Sequence, residues 1–145
     1  APTLPATSLS PRCYHGMFAD SGLRQSPELP ALSVASKSYA DMFSSCSSLT
    51  SMNPIAATSL SSSSCYRMFA GCSSLTSVSI GNSVASIGDR AFSYCSGLTS
   101  VNIPNSVITI NDRAFRSCEF LEEIVLPEGL ETIGEEAFLD CIKLN

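Results

Sequence analysis

Leu98-Thr99-Ser100-Val101-Asn102-Ile103-Pro104-Asn105-Ser106-Val107-Ile108-Thr109-Ile110-Asn111-Asp112-Arg113-Ala114-Phe115-Arg116-Ser117-Cys118 decides the fold, because the same apolar skeleton stands on either side of it. That skeleton is L-x-x-V-x-I-x-x-x-V-x-x-I-x-x-x-A-F-x-x-C. The preceding copy supplies Leu75, Val78, Ile80, Val84, Ile87, Ala91, Phe92 and Cys95, and the following one Leu121, Ile124, Leu126, Leu130, Ile133, Ala137, Phe138 and Cys141. Working outward, Phe recurs at Phe18, Phe43, Phe69, Phe92, Phe115 and Phe138, with spacings of 25, 26, 23, 23 and 23 residues. A Cys follows the last five at the third position and a Leu at the sixth; the first copy has Ser21 in the Cys position. Self-similarity at such a period is the signature of a solenoid, in which each repeat is too small to bury its own apolar face and stacks on its neighbours.

The N-terminal repeats follow a longer template, seen in Leu4-Pro5-Ala6-Thr7-Ser8-Leu9, Leu29-Pro30-Ala31-Leu32-Ser33-Val34 and Ile55-Ala56-Ala57-Thr58-Ser59-Leu60. The chain therefore reads as one unit over residues 1–145, with 25- to 26-residue repeats over 1–75 and 23-residue repeats over 76–145. Within a repeat, V-x-I has the period of two of a short strand with one buried face, and Pro104 or Pro127 ends that strand. The A-F-x-x-C-x-x-L run spaces Phe, Cys and Leu three apart, which predicts one or two helical turns opened by Asp89, Asp112 or Glu135. The expected architecture is α/β: a right-handed solenoid with a parallel sheet on one face and short helical or irregular segments on the other.

The 23-residue template resembles the leucine-rich repeats of the BspA type, found in bacterial surface antigens and some protozoan surface proteins. The longer copies, with Cys13 to Phe18, Cys46 to Ser51 and Cys72 to Ser77, resemble a sister repeat of the same group. The resemblance implies a cell-surface or secreted protein that adheres to a host or bacterial surface protein or glycan. The chain starts mid-repeat at Ala1 and stops mid-repeat at Asn145, which reads as a piece of a longer array, and its first residues carry no signal segment. Departures from the pattern are Ser21 for Cys, Ser26 where Val is expected, and a Cys65 to Phe69 segment that is one residue short.

Composition limits the function classes. The net charge is -5 and eight Lys and Arg are scattered singly, which leaves no basic stripe for a phosphate backbone and excludes nucleic acid as a partner. No apolar run approaches the roughly 20 residues needed to cross a bilayer, so no membrane insertion is expected of this segment. Residues 119–145 hold eight acidic side chains and one basic, against five and seven in residues 1–118; a solvated acidic face is the expectation. Seven Cys raise the question of disulfides, but five share one register, where parallel side-chain vectors hold sulfurs apart, so buried free thiols are expected. Cys13 and Cys65 stand outside that register.

No catalytic, cofactor or metal site is expected. His15 is the sole His, so it is the only conventional base for a Ser nucleophile, and it has no ligand-spaced companion for zinc. G-x-S-x-G, H-E-x-x-H and the P-loop are absent from the sequence. The Ser61-Ser62-Ser63-Ser64 tract sits within a repeat and is expected to form an outer turn. By alternation around Val78, Val101 and Ile124, the outward sheet positions are Ser77, Ser79, Ser100, Asn102, Glu123 and Val125, the candidate partner-binding face. They carry no aromatic anchor, which fits weak attachment through many copies or, alternatively, a structural spacer with no ligand of its own.

Overall fold

The computed structural model describes residues 3–57 and 63–145. Each coil of the C-terminal half contributes two short strands that pair in parallel with their equivalents one repeat away. In chain order the strands are β1 (Ser8–Leu9), β2 (Ser33–Val34), β3 (Ser77–Ser79), β4 (Ser86–Ile87), β5 (Ser100–Asn102), β6 (Thr109–Ile110), β7 (Glu123–Val125) and β8 (Thr132–Ile133). They form one ladder β3-β5-β7, a second ladder β4-β6-β8, and a two-stranded pair β1-β2. The registers align equivalent residues, Val78 with Val101 with Ile124 and Ile87 with Ile110 with Ile133. Single bridges, Gln25 with Ser51 and Leu29 with Ile55, carry the pairing into the N-terminal coils.

Two sequence expectations are corrected here. The sheet is not single, because the S/T-I pair ahead of Gly88, Asn111 and Gly134 is extended as well and makes the second ladder. Nor is there a helix among the described residues, so the architecture is a parallel β-solenoid rather than α/β. The three-residue spacing of Phe, Cys and Leu has a different cause. Cys46 N–H donates to the Phe43 carbonyl at 3.2 Å and Leu49 N–H to the Cys46 carbonyl at 3.0 Å, so each step closes one tight turn. A helix is prevented because the backbone goes left-handed two residues before and two after each stacked Phe, for example at Arg113 (φ 56°) and Ser117 (φ 57°). The N–H groups between turn closures point sideways to the next coil instead: Phe92 N–H donates to Ala114 O and Phe115 N–H to Ala137 O, both at 2.8 Å. Backbone groups that a helix would satisfy internally are satisfied between coils. In the first two coils a third left-handed residue, Arg12 or Lys37, stands four positions before Gly16 or Asp41 and adds a further tight turn to these longer repeats.

The core is a single column. The six Phe rings stack face to face with centroids 5.2 to 5.6 Å apart and planes within 14°. Beside the rings, each register Cys donates its thiol to the carbonyl of the Phe one coil back: Cys46 to Phe18 (3.0 Å), Cys72 to Phe43 (3.2 Å), Cys95 to Phe69 (3.1 Å), Cys118 to Phe92 (3.2 Å) and Cys141 to Phe115 (3.1 Å). The thiol is small and apolar enough for the core, yet it supplies the donor that an Ala would lack. All seven cysteines are free, Cys13 being exposed and Cys65 buried. Burial pushes the Cys65 and Cys95 thiols up to about 12. The irregular first coils are also accounted for. Ser21 meets the Cys46 sulfur at 3.3 Å, and buried Ser26 accepts the Asn53 N–H at 2.8 Å, so a polar residue at a Val position is paired. The Thr58 to Leu60 part of the third N-terminal template and Ser61-Ser62 of the serine tract lie outside the described residues.

Candidate binding surface

Alternation along a strand of three residues puts the middle side chain on one face and its neighbours on the other. In β3, β5 and β7 the middle residues Val78 and Val101 are buried and Ile124 is half-buried, while Ser77, Ser79, Ser100, Asn102, Glu123 and Val125 are all exposed. The parallel registers then arrange these six as two rows, Ser77–Ser100–Glu123 and Ser79–Asn102–Val125, with steps of about 4.8 Å. The rows border a polar groove lined by Ser79, Asn82, Asn102, Asn105 and Ser106 at the strand ends. A second, open hollow is lined by Glu122, Glu123, Lys143 and Asn145. Val125, 72% exposed, is the one apolar side chain in the rows, and Leu126 beside it is 41% exposed. This surface offers hydroxyls, amides and a carboxylate in a repeating array and no enclosed cavity.

The other solvent face, built from the tandem turns, holds the ion pairs. Arg67 Nε lies 3.4 Å from Asp41 Oδ1, and Arg113 Nε and Arg116 Nη1 reach Glu136 Oε2 at 2.7 and 2.8 Å. The adjacent guanidinium of Arg113 lowers the Glu136 pKa below the usual carboxylate range. His15 is exposed and its Nε2 is 3.8 Å from Asp41 Oδ2, so its recorded partner is a carboxylate rather than a serine hydroxyl. Among the described residues no three His, Cys, Asp or Glu side chains are grouped to hold a metal ion, and no helix is long and apolar enough to cross a membrane. Seven of the eight acidic residues of 119–145 are exposed; Glu136, between its two arginines, is half-buried. Sequence reasoning missed the row of left-handed positions that aligns Asp41, Arg67, Arg90, Arg113 and Glu136; its signal was a charged residue two before every Phe from Phe43 on.

The family model described as BspA type Leucine rich repeat region matches residues 36–145 in six copies. The chain belongs to that family. Among solved structures it is similar to a leucine-rich repeat protein from Bacteroides ovatus (36% identity, 72% of this chain and 26% of that one, TM-score 0.64). It is also similar to the leucine-rich repeat protein of T. pallidum (30% identity, 84% of this chain and 54% of that one, TM-score 0.64). A third relative is a leucine rich cell surface protein from Faecalibacterium prausnitzii (25% identity, 93% of this chain and 33% of that one, TM-score 0.61). The chain thus spans between about a quarter and about half of the length of these relatives. No curated protein matches it. BspA-type repeats form modules that commonly bind proteins and are generally not enzymes, and this chain is such a repeat module.

Proposed function

We propose that this BspA-type module belongs to a cell-surface or secreted protein and attaches it, without catalysis, to a host or bacterial surface protein or glycan through the two outward rows of the β3-β5-β7 ladder. The observation that carries the reading is the contrast between the two sides of that ladder. Inward residues repeat as Val78, Val101 and Ile124, whereas outward pairs change from Ser77 and Ser79 to Ser100 and Asn102 to Glu123 and Val125. A constant interior sets shape only, so selectivity resides in what changes. The surface-protein relative from Faecalibacterium supports the location. Small polar side chains give each copy few deep contacts, which fits avidity through repetition rather than one tight site.

The spacer reading stays beside it because the rows carry no aromatic anchor. The test is a binding screen of the chain, displayed in many copies, against matrix proteins and glycans, repeated with Ser100, Asn102 and Glu123 all replaced by Lys. Attachment is expected to disappear while the thermal midpoint stays near that of the parent, since exposed substitutions usually change stability by about half a kcal/mol or less. Attachment that survives the triple replacement refutes the ladder as the site; no ligand from the whole screen leaves the spacer as the better account.

A further inference from the structure

The tandem-turn face contains a groove that the ladder reading does not use. Tyr66, Arg67, Arg90, Tyr94, Gly71 and Ser45 are among the residues that line it, and no carboxylate does. Arg67, Arg90 and Arg113 occupy the same left-handed position in three successive coils, so the backbone aims three guanidinium side chains along one row. Like charges one coil apart repel unless compensated. The outer two are compensated, Arg67 by Asp41 and Arg113 by Glu136. The central one is not paired in this way: Arg90 lies over the Tyr66 ring, 6.0 Å from its centroid, with Nη1 3.5 Å from the phenol oxygen. Asp89 and Asp112 are near in sequence, but neither lines the groove, and Asp112 Oδ1 accepts the Glu135 N–H.

Two further features give the groove a shape. Tyr94 is 57% exposed, an aromatic face turned to water on a rod whose strand rows have none. Gly71 sits in the equivalent position one coil earlier with φ +75°, where a side chain would be strained and its Cβ would come within 3.5 to 3.6 Å of Ser45 at the groove. A positive charge with no carboxylate in salt-bridge contact, although Glu136 feels its field, an open aromatic face and a free serine rim form a set that an anionic pyranose satisfies all at once. Its carboxylate pairs with the guanidinium, its apolar ring face stacks on the phenol ring, and its hydroxyls reach the serine. An acidic peptide would use the guanidinium and leave the aromatic face idle. We propose that this groove binds a carboxylated sugar, a uronic or sialic acid unit of a glycan, with Arg90 pairing the carboxylate and Tyr94 stacking on the ring.

The proposal is tested by NMR titration of the whole chain with a glucuronic acid disaccharide and with sialyllactose, each against its methyl ester, and with an acidic hexapeptide. Shifts of the Arg90 Nε–H and Tyr94 ring resonances are expected with at least one of the acids and not with its ester. Arg90→Gln and Tyr94→Asn, the latter tolerant of the left-handed backbone, are each expected to weaken that binding tenfold or more with the thermal midpoint kept. Replacement of Ser100, Asn102 and Glu123 by Lys should leave it unchanged, so the two faces fail or succeed separately. Equal binding of acid and ester, binding of the peptide that Tyr94→Asn does not weaken, or no shift with either acid overturns the proposal.

Discussion

Phe115→Ala is the substitution that most directly measures how the column holds the rod together. The ring is fully buried, 5.4 Å from Phe92 and 5.5 Å from Phe138, with planes tilted by 7° and 2°. Removing it opens a cavity walled on both sides by rings, and a buried Phe→Ala change of that kind costs about 3 to 5 kcal/mol. Phe138→Ala is the internal comparison. Phe138 is half-buried and its recorded stacking partner is Phe115, so truncation exposes surface instead of enclosing a void. Half of the roughly 1.5 to 3 kcal/mol for burying a Phe, plus one stacking contact of about 1 kcal/mol, gives about 2 kcal/mol. Urea unfolding followed by far-UV circular dichroism should separate the two variants by about 2 kcal/mol, with Phe115→Leu between them because it keeps the interior filled. Equal losses for Phe115→Ala and Phe138→Ala would refute the column as the source of cohesion.

Thiol titration of the native chain should show Cys13 reacting fast, Cys141 slowly and the remaining five only on unfolding, with all seven reactive in denaturant without reductant; a denatured count near zero would mean disulfides. Stability should hold up to the ordinary thiol pKa of about 9 and fall above it: burial keeps Cys65 and Cys95 protonated to about 12 while the unfolded chain ionises there and so binds fewer protons. Each such thiol contributes a slope of at most about 1.4 kcal/mol per pH unit, and an unfolding free energy flat from pH 8 to 11 would contradict the burial. Gly81→Pro, which copies Pro104 and Pro127 of the later coils, should destabilise by about 1 to 3 kcal/mol, because a Cβ there collides with the Ile55 carbonyl; a raised thermal midpoint would show that coil to be regular.

The repeat and its inward residues were legible because periodicity reports burial directly: Leu98, Val101, Ile103, Val107, Ile110, Phe115, Cys118 and Leu121 are all buried. The six outward ladder residues followed from the same alternation. The helical reading of Phe115, Cys118 and Leu121 failed because a three-residue spacing is shared by a helix and by tandem turns, and only backbone φ separates them. Residues such as Arg113 and Tyr94 give no warning, since a left-handed conformation in this chain is mostly imposed on ordinary side chains by cross-coil hydrogen bonding rather than encoded by Gly. The second strand was hidden by its length: Thr109–Ile110 is too short for a period of two to show. The Arg90 groove was invisible because Tyr66 and Tyr94 belong to different coils at non-equivalent positions, and only stacking makes them neighbours.

The cross-coil hydrogen bonds have a mechanical consequence. From Phe92 N–H to Ala114 O, and along both strand ladders, they run from coil to coil along the rod. Tension applied to the chain ends peels an end coil by breaking its bonds in succession instead of shearing whole ladders together. Each 23-residue coil released adds roughly 76 to 83 Å of contour length. An array made of such coils would lengthen in quantised steps under load, and each lost coil would leave the next Phe ring as a fresh template for rewinding when the pull relaxes.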